Sequence, residues 1–115
     1  MGLDQFAYVA AKENDDDNTR EIAYWRKHPN LQGWMRKLAE SKGIHGEFNG
    51  VELELTREDI DLLEQDVLNN RLPLTSGFFF GNPSDEYYKK EDLEFVKNAR
   101  AELFCGLKVF YNSSW

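Results

Sequence analysis

The sequence predicts an α+β fold in a single domain spanning residues 1–115, with a mainly antiparallel sheet of about four strands covered on one face by about three helices. Short runs with alternating or aromatic residues, typical of strands, are interspersed with longer runs whose apolar residues recur at helical spacing. Their order is strand, strand, helix, strand, helix, helix, strand, without an internal repeat or a low-complexity linker. At 115 residues the chain is long enough to bury one core.

The four predicted strands differ in how clearly the pattern marks them. Val51, Leu53 and Leu55 alternate with two glutamates, which is the clearest strand pattern because one face is apolar and the other is charged. Residues 21–27 alternate enough for a strand, although a helix fits that stretch nearly as well. The remaining strands are predicted at residues 6–12 and 107–111.

The three predicted helices are marked by residues that start or stop a helix. Pro29 disfavours helical geometry at His28 and suits the first turn of a helix, so the first helix begins there. The Thr56 hydroxyl can cap the second helix. The Asp59 carboxylate can in part accept the reciprocal hydrogen bond of a capping box. The predicted helices span about residues 29–43, 56–70 and 85–106, and the first and third end at Gly43 and Gly106.

The composition restricts the classes of partner. The chain has 41% hydrophobic residues, 14% aromatic residues and a formal net charge of −7, so it is a folded acidic protein for which we expect no direct nucleic-acid or membrane contact. The charge is uneven. Residues 20–42 contain six cations and two anions, which gives +4 for that segment and −11 for the rest of the chain, so a local site for an anion remains feasible.

Cys105 is the only cysteine, so no intramolecular disulfide can form, and we expect it to be a core residue in a reducing cytoplasm. No apolar run approaches the ~18 residues of a membrane span, and the N-terminus lacks a signal-peptide pattern. The aspartates at residues 15–17 lack the spacing of a calcium loop, so neither a metal site nor a cofactor is predicted.

Three unusual stretches supply the candidate site residues. In the first, cationic side chains lie where a predicted strand ends and a predicted helix begins, and the N-terminus of a helix can bind an anion. In the second, three phenylalanines lie between two glycines, and their rings can line a pocket or simply fill one end of the core. The third is the C-terminus, where an ordered tryptophan would bring an indole, hydroxyls and a carboxylate together. The candidates are Tyr24, Trp25, Arg26, Lys27 and His28, then Ser76, Phe78, Phe79 and Phe80, and finally Tyr111, Ser113, Ser114 and Trp115.

Five segments, MGLD, EIAYWRK, TRED, SGFFFG and the closing Y-x-S-S-W, occur in an order that resembles a family of small uncharacterised proteins encoded largely by bacteriophages and some bacteria. The resemblance covers nearly the whole chain. It departs after the YWRK segment, where His28, Pro29 and Gln32 stand in a region in which the family has a small residue, an asparagine and a later histidine. No role of that histidine is therefore carried over. The resemblance implies a phage origin and the host cytoplasm, without an established activity.

Three functions remain open from the sequence. The first is a protein that binds a host or phage protein, with Trp25, Arg26 and an exposed phenylalanine from residues 78–80 as contacts. The second is a small-ligand or enzymatic domain, in which Arg26 and Lys27 hold an anionic group and His28 is an acid or base. The third is an acidic mimic of nucleic acid, built on residues 15–17, 52–54 and 58–66. No catalytic set is evident, and strand order and oligomeric state are not predicted.

Overall fold

A computed structural model of the protein describes residues 3–10, 19–26, 28–46, 48–69, 71–72 and 85–114. Its elements follow the predicted order and confirm the α+β fold. The Cα radius of gyration is 13.4 Å, close to the value of about 13 Å expected for a compact domain of this length. The strands are β1 (Asp4–Ala10), β2 (Arg20–Arg26), β3 (Leu53–Leu55) and β4 (Lys108–Ser114), and the helices are α1 (Pro29–Ser41), α2 (Arg57–Leu68) and α3 (Asp85–Phe104).

The four strands form one antiparallel sheet in the order β2-β1-β4-β3. The first and last strands of the chain are therefore neighbours at the centre of the sheet. Pairing between β1 and β4 runs the full length of both strands, from Asp4 opposite Ser114 to Ala10 opposite Lys108. The last strand was predicted to end at Tyr111, and it extends to Ser114 because β1 supplies backbone partners that far.

The sheet has one face that points to the core and one that does not. Along β1 and β4 buried residues alternate strictly with half-buried ones until the last residue of β4, as the two-residue period of a strand requires. Buried residues from all four strands form one apolar cluster with residues from all three helices, so the helices cover the same face. Among the described residues, the strand residues of this cluster are Ala7, Val9, Trp25, Leu53, Leu55, Val109 and Tyr111.

The helix termini follow the predicted caps. Pro29 stands in the first turn of α1, and Gly43 follows its end with φ 89°, a conformation that glycine adopts without a side-chain clash. The capping box of α2 is complete: the Thr56 hydroxyl accepts from the Asp59 N–H at 3.3 Å, and the Asp59 carboxylate accepts from the Thr56 N–H at 2.8 Å. Cys105 lies in the turn after α3 and is exposed, so the expectation of a core cysteine was wrong.

The capping box of α2 predicts a pH-dependent contribution to stability. Burial tends to raise the pKa of Asp59, but hydrogen bonds from Lys42 and Thr56 outweigh it and lower the pKa below its ordinary value of 3.8. Stabilisation by Asp59 is therefore present above that ordinary value and is lost as the pH falls through the lower folded value. We expect Asp59→Asn to destabilise the protein by about 1 kcal/mol at neutral pH.

Urea unfolding of the wild type and of Asp59→Asn at about pH 7 and about pH 3 measures this contribution, and the difference between them shrinks at the lower pH. Glu58→Gln is the matched control, because it makes the same charge change at the neighbouring exposed position. An equal loss in Glu58→Gln, or a difference that is independent of pH, would contradict the assignment.

Candidate functional site

The face of the sheet opposite the helices carries a row of aromatic side chains. Phe6 of β1 lies opposite Tyr24 of β2, and Tyr8 of β1 lies opposite Phe110 of β4. The rings of Tyr8 and Phe110 are stacked, with centroids 5.5 Å apart and an interplanar angle of 24°. Tyr24 is exposed and the other three are half-buried, and none belongs to the apolar core. We call these four residues the aromatic face; no described helix packs on it.

Acidic side chains surround the aromatic face. The Tyr24 hydroxyl donates to the Asp4 carboxylate at 2.8 Å, and the Tyr8 hydroxyl donates to Glu52. The hydrogen bond to Asp4 raises the pKa of Tyr24, while burial and then the hydrogen bond to Glu52 raise the pKa of Tyr8. Both phenols thus stay protonated beside these two carboxyl groups. On this face of the described sheet, Asp4, Glu21, Glu52 and Glu54 outnumber Arg26 and Lys108.

The opposite, helix-covered side holds a buried carboxylate with two side-chain donors. Asp92 of α3 accepts from the Trp25 Nε1–H at 2.9 Å through one oxygen. Its other oxygen lies 2.8 Å from Nε2 of His28, the residue before α1. All three residues are at most 1% exposed. An ionised carboxylate can only accept, so with Asp92 ionised the imidazole donates from Nε2. In either tautomer Asp92 joins α3 to β2 and to the start of α1.

A second set of buried polar groups continues from this carboxylate. The Gln5 amide donates to the His28 carbonyl at 3.0 Å and accepts from the His28 N–H at 2.8 Å, which fixes the backbone between β2 and α1. It also donates to the Tyr111 hydroxyl at 2.9 Å, and that hydroxyl donates to Gln32 at 2.5 Å. Burial raises the pKa of Tyr111, so its hydroxyl remains a neutral donor. We call Gln5, Trp25, His28, Gln32, Asp92 and Tyr111 the buried polar cluster.

One buried atom in this cluster is left without a hydrogen bond. The Nδ1 atom of His28 has no partner among the described residues, and the Tyr88 ring stacks on the imidazole with centroids 4.5 Å apart. The Tyr88 hydroxyl donates to the Arg26 carbonyl, which ties α3 to β2 once more. Since His28 is fully buried and faces a carboxylate, its geometry favours joining these elements over holding an anion.

The predicted site residues separate onto the two sides of the sheet. Trp25, His28, Tyr111 and Ser113 lie buried on the helix-covered side, so Trp25 is a core residue and does not present its ring to a partner. Tyr24, Arg26 and Ser114 are exposed and lie on the open face. The predicted Lys27, Ser76, Phe78, Phe79, Phe80 and Trp115 lie outside the residues that the structure describes.

Several of the residues that form these two regions were not singled out from the sequence. Asp92 belongs to a charged stretch of α3, but it precedes the buried Phe95, Val96 and Ala99 by three, four and seven residues, which places it on the apolar side of the helix. That spacing is the signal that could have identified it. The other residues missed were Gln5 and Gln32 of the buried polar cluster and Phe6, Tyr8 and Phe110 of the aromatic face.

The acidic residues of α2, considered for nucleic-acid mimicry, are largely engaged within the protein. Arg100 of α3 contacts Asp61 at 2.8 Å and Glu64 at 3.1 Å. Asp66 accepts from the Trp34 indole at 2.7 Å, and Asp59 pairs with Lys42. These carboxylates are partly neutralised by the protein's own cations, so α2 does not present an uncompensated row of charge.

Comparison with protein-family models, curated proteins and solved structures finds no match for this chain. No described group of three or more histidine, cysteine, aspartate or glutamate side chains is placed to hold a metal ion. In the part of the chain that the structure describes, no helix has the length and apolar character needed to cross a membrane. The geometry of the two regions is therefore the basis for a functional proposal.

The buried polar cluster predicts that Asp92 and Trp25 are energetically coupled. Asp92→Ala leaves two buried donors unpaired, so we expect a loss of about 3 to 5 kcal/mol. Trp25→Phe keeps an aromatic ring but removes the indole donor to Asp92, at a cost of about 1 to 3 kcal/mol. The double variant loses less than the sum, because both changes remove the same hydrogen bond.

Urea unfolding followed by circular dichroism measures all three variants. The matched control is Glu91→Ala, which removes the neighbouring exposed carboxylate of α3 and changes the free energy of unfolding by less than about 0.5 kcal/mol. Strict additivity of the Asp92 and Trp25 changes would show that the hydrogen bond does not contribute.

Proposed function

We propose that the protein is a binding protein whose aromatic face receives a basic, apolar segment of a partner protein. The observation that carries this proposal is the row formed by Phe6, Tyr8, Tyr24 and Phe110 on the sheet face that no described helix covers. A sheet that serves only to support a core usually has polar side chains on its outer face. Four aromatic side chains there need a different explanation, and partner binding supplies one.

The residue types on this face suit a protein interface. Tyrosine and phenylalanine are enriched at such interfaces, because a rigid ring covers a large area with little loss of conformational freedom. The hydrogen bonds from Tyr8 to Glu52 and from Tyr24 to Asp4 hold two of the rings in place before any partner arrives. Preorganised side chains lose less entropy on binding, which favours affinity.

The charge on the face indicates the chemistry of the partner. Asp4 and Glu52 are already close to the rings, and Glu54 lies opposite Phe110 in the register. A lysine or arginine from a partner can lie over a tyrosine ring and meet one of these carboxylates. A nucleic acid could stack its bases on the rings, but its phosphates would be repelled by the acidic surroundings and by the net charge of −7.

Photo-crosslinking tests this function directly. The phenylalanine at position 6 or 110 is replaced by the photoreactive analogue p-benzoylphenylalanine, and the protein is irradiated in an extract of the cells in which it is produced. The resemblance to phage proteins makes extract of a bacterial host the first choice. The matched control carries the analogue at Phe104, which is 91% exposed on the helix side of the molecule. We expect a discrete adduct from positions 6 and 110 and none from position 104.

Affinity for the crosslinked protein, once it is purified, gives the quantitative prediction. Phe110→Ser removes one of the four rings of the face and weakens binding by about thirtyfold or more, the loss typical of an aromatic residue that anchors an interface. Phe104→Ser, the same change outside the face, leaves affinity unchanged. Adducts that form equally from position 104, or binding that is insensitive to Phe110→Ser, would contradict the proposal.

A further inference from the structure

We propose that the protein has a second site, a groove on its helix side that binds a small anionic amphiphile, meaning a carboxylate, sulfonate or phosphate attached to an apolar body. The groove lies between the start of α2 and the end of α3, on the other side of the molecule from the aromatic face. Its volume is about 670 Å³, and its lining is Arg57, Lys97, Arg100, Ala101, Leu103, Phe104 and Cys105.

The charge of the groove is opposite to that of the protein. Three cations line it, although the chain has a net charge of −7. Arg100 is held by Asp61 and Glu64, so its charge is already compensated. Arg57 and Lys97 form no ion pair with any described residue. A ligand anion would therefore meet two cations that form no ion pair within the described part of the chain, and charge complementarity indicates an anionic end for the ligand.

The apolar part of the groove indicates that the rest of the ligand is apolar. Phe104 is 91% exposed, far more than any other large hydrophobic side chain in the described residues, and it stands beside Ala101 and Leu103 on the last turns of α3. Covering a phenylalanine ring removes apolar surface from water, which is favourable for binding. An inorganic anion would leave this ring exposed, whereas an amphiphile covers it. The volume lies within the range of about 300 to 1,000 Å³ typical of small-ligand sites.

A neighbouring groove provides an internal contrast. Between β2 and α3 lies a smaller groove of about 180 Å³ whose lining includes Glu91 and Glu94. Those carboxylates would repel an anion, so the same helix separates an acidic groove near its middle from a basic groove at its end. Charge thus directs an anionic ligand to the groove beside Phe104.

Titration of the whole protein with 1-anilinonaphthalene-8-sulfonate, an anionic aromatic probe that fluoresces in apolar surroundings, tests the site. We expect saturable binding of one probe per protein, displacement by decanoate, and much weaker displacement by decanol, which lacks the charge. Lys97→Glu lowers affinity for the probe and for decanoate by about tenfold, because it replaces an attraction by a repulsion. Phe104→Ser lowers affinity for the probe by a similar factor by removing the apolar contact.

Two control variants locate the binding. Lys90→Glu makes the same charge change on an exposed position of α3 outside the groove and leaves affinity unchanged. Phe110→Ser, which alters the aromatic face, also leaves it unchanged. The proposal is overturned if neither the probe nor decanoate saturates below about 1 mM, if Lys97→Glu has no effect, or if either control loses as much affinity. A loss in Phe110→Ser alone would place the probe on the aromatic face, so this site can fail without affecting the proposed partner surface.

Discussion

The buried carboxylate of Asp92 is the constraint on which the arrangement of the fold depends. Removing a carboxylate from water costs several kcal/mol unless its oxygens are well hydrogen-bonded. Here one oxygen accepts from Trp25 and the other from His28. This requirement fixes three elements at once, because the carboxylate is on α3, the indole on β2 and the imidazole at the start of α1. A displacement of any one element breaks at least one of these buried hydrogen bonds.

That constraint also determines what the other side of the sheet presents. Residues alternate along a strand, so a β2 that turns Trp25 toward Asp92 turns Tyr24 and Arg26 away from the core. Gln5 has the same effect on β1, where its burial directs Phe6 to the open face. The polar groups inside and the aromatic rings outside are thus two consequences of a single register. The helix-covered side holds the apolar core, and the open side carries the aromatic face.

The sequence was sufficient to predict those features of the fold whose physical cause is local. The capping pair of Thr56 and Asp59 and the glycine after α1 act within a few residues, and the structure confirms both. The order of the strands and the extension of β4 to Ser114 depend on pairing with β1 at the other end of the chain, which no local pattern encodes. The helical spacing of Asp92 could have placed it on the apolar side of α3, but its partners precede it by more than 60 residues and could not be predicted for the same reason. Among the candidates beyond β2, Lys27, Ser76, Phe78, Phe79, Phe80 and Trp115 lie outside the described residues.

We propose that the aromatic face is a surface for a partner and not a second core. The most direct test is the stability of a triple variant, Phe6→Thr, Tyr8→Thr and Phe110→Thr, since threonine keeps a high preference for strands. We expect a cooperatively folded protein whose free energy of unfolding has fallen by about 1 to 3 kcal/mol, the contribution of a few cross-strand pairs. An unfolded chain or a non-cooperative thermal transition would show that these rings hold the fold together and would contradict a role in partner binding alone.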